Sequence, residues 1–347
     1  MTARRFLETR DRSYDLCRTY LVLTMIISHT FGWYYGGQYN GTLTITSQTA
    51  FVFLAGFTSA VLYSRRLQTS AVQIKSKLFI RSYRFMALFI LLNLFIFTLR
   101  PDRLHTLIHR HTLPDILFRV ILLGADSKPV SFEMLVPIAL TCLASWFLIR
   151  HLKPKTSLLL ALCCILSLFI IEVTRTFNYY GVRYTTIGTV GCLLGIFISP
   201  VAWDNVQKRI MKRSTIVFVA ICSFTYYTLM CLYTNRHTPL FYSLHFFPTV
   251  LNLVLMYQLG SLLPLASDGL LQRVNALIAE NMLFAYVAHL MIIYLISSFL
   301  PVAAYPFSYT MMISAGVGLA TVAACSSAVW CSKRFTLARN AYSYLFK

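Results

Sequence analysis

The chain has 347 residues, of which 57% are hydrophobic and only 12% are charged, with a mean hydropathy of +0.65. A soluble domain of this length carries about twice that charged fraction, so composition excludes an ordinary soluble enzyme and points to a polytopic membrane protein. The formal charge of +20 does not argue for nucleic acid, because the basic residues sit beside apolar blocks, as topology determinants do.

Ten apolar stretches read as membrane spans, at about 17–35, 45–64, 80–99, 131–150, 155–172, 185–201, 214–233, 240–263, 279–300 and 307–331. The expected fold is an all-α, multi-pass bundle forming a single transmembrane domain over 1–347. The first stretch follows a charged segment and lacks a small-residue cleavage site, so it reads as a retained span.

That first stretch holds the most informative pair in the chain, Arg18 and His29. Eleven residues at 100° each return a helix to within about 20° of its start and advance it by roughly 16 Å. The two side chains therefore share one face, with Arg18 near a membrane surface and His29 deep. An ionisable group inside a span is costly and points to function by default. Asp15, three residues before Arg18, is placed to pair with it or to orient its guanidinium towards phosphate. A neutral imidazole at His29 suits proton abstraction from a hydroxyl.

Further along, Arg65, Arg66, Arg81 and Arg84 flank the connection after the second span. With both termini cytoplasmic, these residues, the N-terminal basics and Lys333, Arg334 and Arg339 all fall on the cytoplasmic side. The 100–130 segment then lies outside as a long loop whose second half has amphipathic spacing. Its His105, His109 and His111 lack a carboxylate or cysteine set that would complete a metal site. Glu133 opens the fourth span from the outer side, and Glu172 and Arg175 end the fifth. Gly188, Gly191 and Gly195 form a small-residue stripe suited to close helix contact. His245 lies in the eighth span, and Asn281 and His289 in the ninth. The nine cysteines show neither metal-ligand nor disulfide spacing and read as buried apolar residues. Aromatic residues such as Trp33, Tyr34 and Tyr35 sit at predicted span ends, as interfacial belts do.

An arginine, ten residues and a histidine in a first span make this chain resemble the membrane acyltransferase-3 superfamily. The lead-in Arg12-Ser-Tyr-Asp15-Leu-Cys-Arg18 looks like that family's start. The block Ala50-Phe-Val-Phe-Leu-Ala-Gly-Phe57 is similar to the FVFLSGF-type block of its OpgC branch, which succinylates periplasmic glucans, with Ala55 in place of serine. Phe132-Glu-Met-Leu-Val-Pro137 is similar to the branch's fourth-span stretch but lacks its tyrosine, since Ala139 follows. The segment 278–289 looks like the family's ninth-span stretch ending in histidine, with Asn281 and Met282 replacing a small polar pair.

The resemblance implies an integral membrane O-acyltransferase that moves an acetyl or succinyl group from cytoplasmic acyl-CoA to a hydroxyl of an extracytoplasmic glycan or glycolipid. It places the chain in a bacterial inner membrane. His29 is then the expected base, with Glu133 beside it. Arg18, Asp15, Arg65, Arg66, Arg81 and Arg84 are the expected CoA-phosphate set, and Phe53 and Gly56 are expected along the acyl arm. His245 and His289 are expected to hold the acceptor. No metal is expected, the partners are membrane lipid and the glycan acceptor, and self-association is left open. The competing reading is a transporter or flippase of a lipid-linked glycan or small solute. Against it stand the basic rim beneath a deep histidine on one face and the absence of paired broken helices.

Overall fold

The computed structural model describes residues 12–35, 42–64, 67–99, 101–110, 112–116, 132–174, 180–199, 201, 203–233, 246–262, 269–302 and 304–346. Every regular element among them is helical: α1 Arg12–Tyr34, α2 Thr42–Ser64, α3 Leu67–Leu99, α4 Pro101–Arg110, α5 Leu135–His151, α6 Pro154–Thr174 and α7 Tyr180–Ile198. These are followed by α8 Trp203–Ile210, α9 Arg213–Tyr233, α10 Phe246–Leu262, α11 Leu270–Glu280, α12 Met282–Phe299, α13 Phe307–Arg334 and α14 Thr336–Phe346. A helix overlaps each of the ten apolar stretches. Over their described residues four stretches are long and apolar enough to cross a membrane: Lys77–Leu99, Gly181–Ile198, Met282–Phe299 and Phe307–Arg334.

The physical reason for an all-helical fold is the solvent. Hydrocarbon cannot bond free peptide groups, so a spanning segment must satisfy its backbone internally. Side-chain hydroxyls follow the same rule. Thr24, Thr30 and Ser59 donate to carbonyls one turn back, at 3.0, 2.7 and 2.7 Å. Leu91, Leu94, Leu162, Phe224 and Leu319 are each more than half exposed. In water such faces would be aggregation sites; against lipid they are the expected surface. The chain is an integral membrane protein.

The chain divides into two compact units, one of Met1–Gln48, Trp203–Arg236 and Phe247–Lys347, the other of Thr49–Ala202 and His237–Phe246. In the first unit α1 packs on α11, α12 and α13. Val22, Ile26 and Tyr34 meet Ile278, Ala285, Ile293 and Val317 in its core. Helix α10 joins through Ser13 and Ser261, whose hydroxyls are 2.8 Å apart, and through Cys17, whose thiol lies 3.4 Å from the Leu253 carbonyl. In the second unit α3 packs on α5, and α7 on α5 and α6. Ser82 donates to the Ala139 carbonyl at 2.8 Å.

The glycine stripe forms a close helix contact in the second unit. A methyl group added at Gly56 of α2 would strike the Gly188 carbonyl oxygen of α7. One added at Gly191 would strike the Phe53 carbonyl, and one at Gly195 would come within 2.7 Å of Ala60 and of the Phe57 carbonyl. The backbones of α2 and α7 therefore touch, as small residues in membrane helices permit.

Three helices were not anticipated from sequence: α8, which lies between the sixth and seventh stretches, α11 and α14. The ninth span is preceded by a separate amphipathic helix, α11, and the break between them falls at Asn281. The C-terminal helix α14 docks at that break. The buried Tyr342 hydroxyl donates to Asn281 Oδ1, Asn281 Nδ2 donates to the Leu277 carbonyl at 2.7 Å, and the Tyr342 and Phe346 rings flank Phe284. Burial, with Cys325 and Glu280 adding to it, pushes the Tyr342 hydroxyl's pKa upward, so it keeps the proton it donates. Tyr342→Phe would leave a buried amide oxygen without its donor. It is expected to cost about 1–2 kcal/mol of stability, read as a lower thermal midpoint in detergent; an unchanged midpoint would show that the contact contributes nothing.

The outer loop expected at 100–130 is helical in its first part, α4, where the His105 and His109 rings lie 3.9 Å apart one turn from each other. A single helical turn follows at Leu113–Asp115, started by Thr112 as N-cap. His111 and the residues 117–130 lie outside the described residues.

Candidate functional site

Helix α1 presents Arg18 and His29 as its register requires, both half-buried. At its start Asp15 is buried in the first turn, where a carboxylate is favoured by the helix dipole. The Arg18 guanidinium stacks on Tyr14, with Cζ 4.4 Å from the ring centroid. The ring holds the cation by its face and leaves the guanidinium edge available to bond an anion.

Eleven residues on, His29 meets a second histidine. His289 of α12 is fully buried, and its ring centroid lies 5.5 Å from that of His29 at an interplanar angle of 32°. Nδ1 of His289 is 3.1 Å from the Ala285 carbonyl. A carbonyl can only accept, so Nδ1 carries the proton and Nε2 keeps a lone pair. The Nε2 atoms of His29 and His289 are both sealed from solvent, and neither has a hydrogen-bond partner. A buried polar atom without a partner costs about 1–3 kcal/mol, and here two such atoms belong to neighbouring rings of α1 and α12. Tyr286, packed at 5.6 Å from the His289 ring, closes one side.

The same rule that singled out His29, an ionisable group inside a span, applies to His289. What the sequence lacked was the crossing of α1 and α12 that brings the two together.

Two further nucleophile types on α1 are committed elsewhere. Ser28 is buried and donates to the Met25 carbonyl at 3.0 Å, and the Cys17 thiol is spent on Leu253. The remaining candidates belong to the second unit or lie outside the described residues. Arg81 is exposed, with Cζ 5.7 Å over the Phe85 ring, and Arg84 is half-buried one turn further along α3. Glu133 is half-buried in the turn before α5, next to Phe132, whose φ of 60° is rare for an aromatic residue.

Phe53 and Gly56 pack against α7. Both were expected along an acyl arm, but Gly56 is filled by the α7 backbone, and Phe53 is buried with its carbonyl against Gly191 and its ring stacked on Phe57 at 5.9 Å. The close approach that Gly56 allows is that of a neighbouring helix. Arg65, Arg66, Arg175 and His245 lie outside the described residues, as does the side chain of Glu172. Among the described residues no group of three or more His, Cys, Asp or Glu side chains is placed to hold a metal ion. No family model matches the chain, and comparison with curated proteins and with solved structures found no match either.

Proposed function

We propose that the protein is a ten-span O-acyltransferase of a bacterial inner membrane, with both termini cytoplasmic, that moves an acetyl or succinyl group from acyl-CoA to a glycan or glycolipid hydroxyl. The observation that carries this reading is the His29–His289 pair, with its two buried, unpartnered Nε2 atoms, on the face of α1 that bears Arg18. In the reaction His29 takes the proton of the acceptor hydroxyl. The His289 Nε2 lone pair accepts a hydrogen bond from a second hydroxyl of the acceptor, which orients the first. The acceptor oxygen forms a bond to the thioester carbonyl carbon and the carbon–sulfur bond breaks. The CoA thiolate leaves and takes the proton back from the His29 imidazolium, giving ester and free CoA.

Arg18 binds a CoA phosphate, and the roughly 16 Å from Arg18 to His29 along the helix suits an extended thioester donor. Direct transfer is favoured because Ser28 and Cys17 already have carbonyl partners.

The test is binding and slow hydrolysis of acetyl-CoA and succinyl-CoA by the purified protein. Arg18→Ala is expected to raise the CoA dissociation constant by about tenfold to a hundredfold, the worth of one charge-assisted phosphate contact. Absence of binding to either thioester by the wild-type protein would overturn the reading.

A further inference from the structure

Helix α4, Pro101–Arg110, carries two histidines that the proposed reaction does not use. Its residues divide into two faces. Leu104, Leu107 and Ile108 fall on one side of the helical register, and Leu107 is buried. Asp102, His105 and His109 fall on the other side, and all three are exposed. The histidines are four positions apart, so their side chains leave the same face one turn from each other. Their ring centroids lie 3.9 Å apart, at an interplanar angle of 48°. Imidazole nitrogens bound to one zinc ion sit about 2.0–2.1 Å from it, hence at most about 4.2 Å from each other. The two rings are therefore within chelating reach, and rotation about their own side-chain bonds is the adjustment a shared ion requires.

We infer that His105 and His109 form a bidentate surface site for a divalent late transition-metal ion, of the nickel, copper and zinc group. Imidazole suits these ions, whereas magnesium and calcium select oxygen ligands. Two histidines four residues apart on one helical face are also the pair by which a helix holds zinc. The expectation of no metal rested on the missing carboxylate or cysteine set. The helix makes two imidazoles enough for an open site, with water in the remaining positions. Such a site is weaker than a closed one with four protein ligands. Asp102 lies on the same face three residues before His105, and its negative charge favours a dication there. The helical conformation is what brings the two imidazoles together, so the ion stabilises α4. A helix of ten residues is marginal on its own, which makes that stabilisation measurable. The inference does not depend on acyl transfer.

The experiment uses the full chain in detergent, prepared without a polyhistidine tag, with Ni²⁺ as probe. Titration calorimetry is expected to show a Ni²⁺ site that His105→Ala and His109→Ala each weaken about a hundredfold, the usual gain from a second linked ligand. Both side chains are exposed, so neither substitution removes core packing. Hydrogen exchange of the amides in 101–110 is expected to slow when Ni²⁺ is added to the wild-type protein, and to be unchanged by it in either variant. Zn²⁺ is expected to act in the same way and Mg²⁺ to have no effect. His151→Ala removes an exposed histidine from another helix and is expected to alter neither measurement. The inference is overturned if either α4 variant binds Ni²⁺ as tightly as wild type, or if the ion leaves exchange in 101–110 unchanged. Because Ni²⁺ binding is read without a thioester, a protein inert towards acyl-CoA that still binds the ion would overturn acyl transfer and keep the metal site.

Discussion

Replacing His29 with alanine is expected to slow acyl transfer by a hundredfold to ten-thousandfold, the usual worth of a positioned general base, and to leave acyl-CoA binding intact. The separation of effects follows from where the side chain sits. Arg18 is three turns away on the same helix, stacked on Tyr14, and nothing in its geometry depends on the imidazole. Single-turnover transfer at saturating acetyl-CoA measures the chemical step, and equilibrium binding of the same thioester measures the donor site. His289→Ala removes the lone pair opposite His29 and is expected to lower the same step. The double variant is expected to be little worse than His29→Ala alone, because groups that act as one unit are not additive. A His29→Ala protein that transfers at the wild-type rate would remove the base from the mechanism. Losses that multiply in the double variant would show that the two histidines act separately.

How much of this was legible in the sequence depends on whether the controlling physics is local. The helices were legible because hydrocarbon leaves an apolar stretch one option, and a helix overlaps every stretch read as a span. The shared face of Arg18 and His29 was legible because it needs only helical periodicity. The break at Asn281 was not, because no proline or glycine marks it; its stabilising partner, Tyr342, is 61 residues away. The His29–His289 contact likewise depends on how α1 and α12 cross, which hydropathy does not encode. Gly56 shows a third case. Its need for a close approach could be read from its lack of a side chain, but whether a ligand or a helix approaches is set by the partner surface, and the partner is the Gly188 stripe.

That partner surface yields the second large effect. Gly56→Ala is expected to destabilise the protein by about 3 kcal/mol, the upper end of the usual overpacking range. The sign is the informative part. In a helix interior, glycine to alanine ordinarily gains about 1 kcal/mol by restricting the unfolded chain and removing a poor helix former. At Gly56 the new methyl carbon would strike the Gly188 carbonyl oxygen and come within 3.0 Å of the Cys192 amide nitrogen. Both are backbone atoms of α7, so no rotamer change can relieve the contact, and α2 and α7 must separate along the stripe. Separation also costs the contacts at Gly191 and Gly195, because tightly packed helices do not deform at one point alone. Gly316 of α13 provides the control, since a methyl group there meets nothing within 4 Å, and Gly316→Ala is expected to be neutral or stabilising. Thermal unfolding of both variants in one detergent compares the two directly. Opposite shifts support an interlock of backbones between α2 and α7, whereas equal shifts would mean that glycine at position 56 is a matter of helix propensity alone.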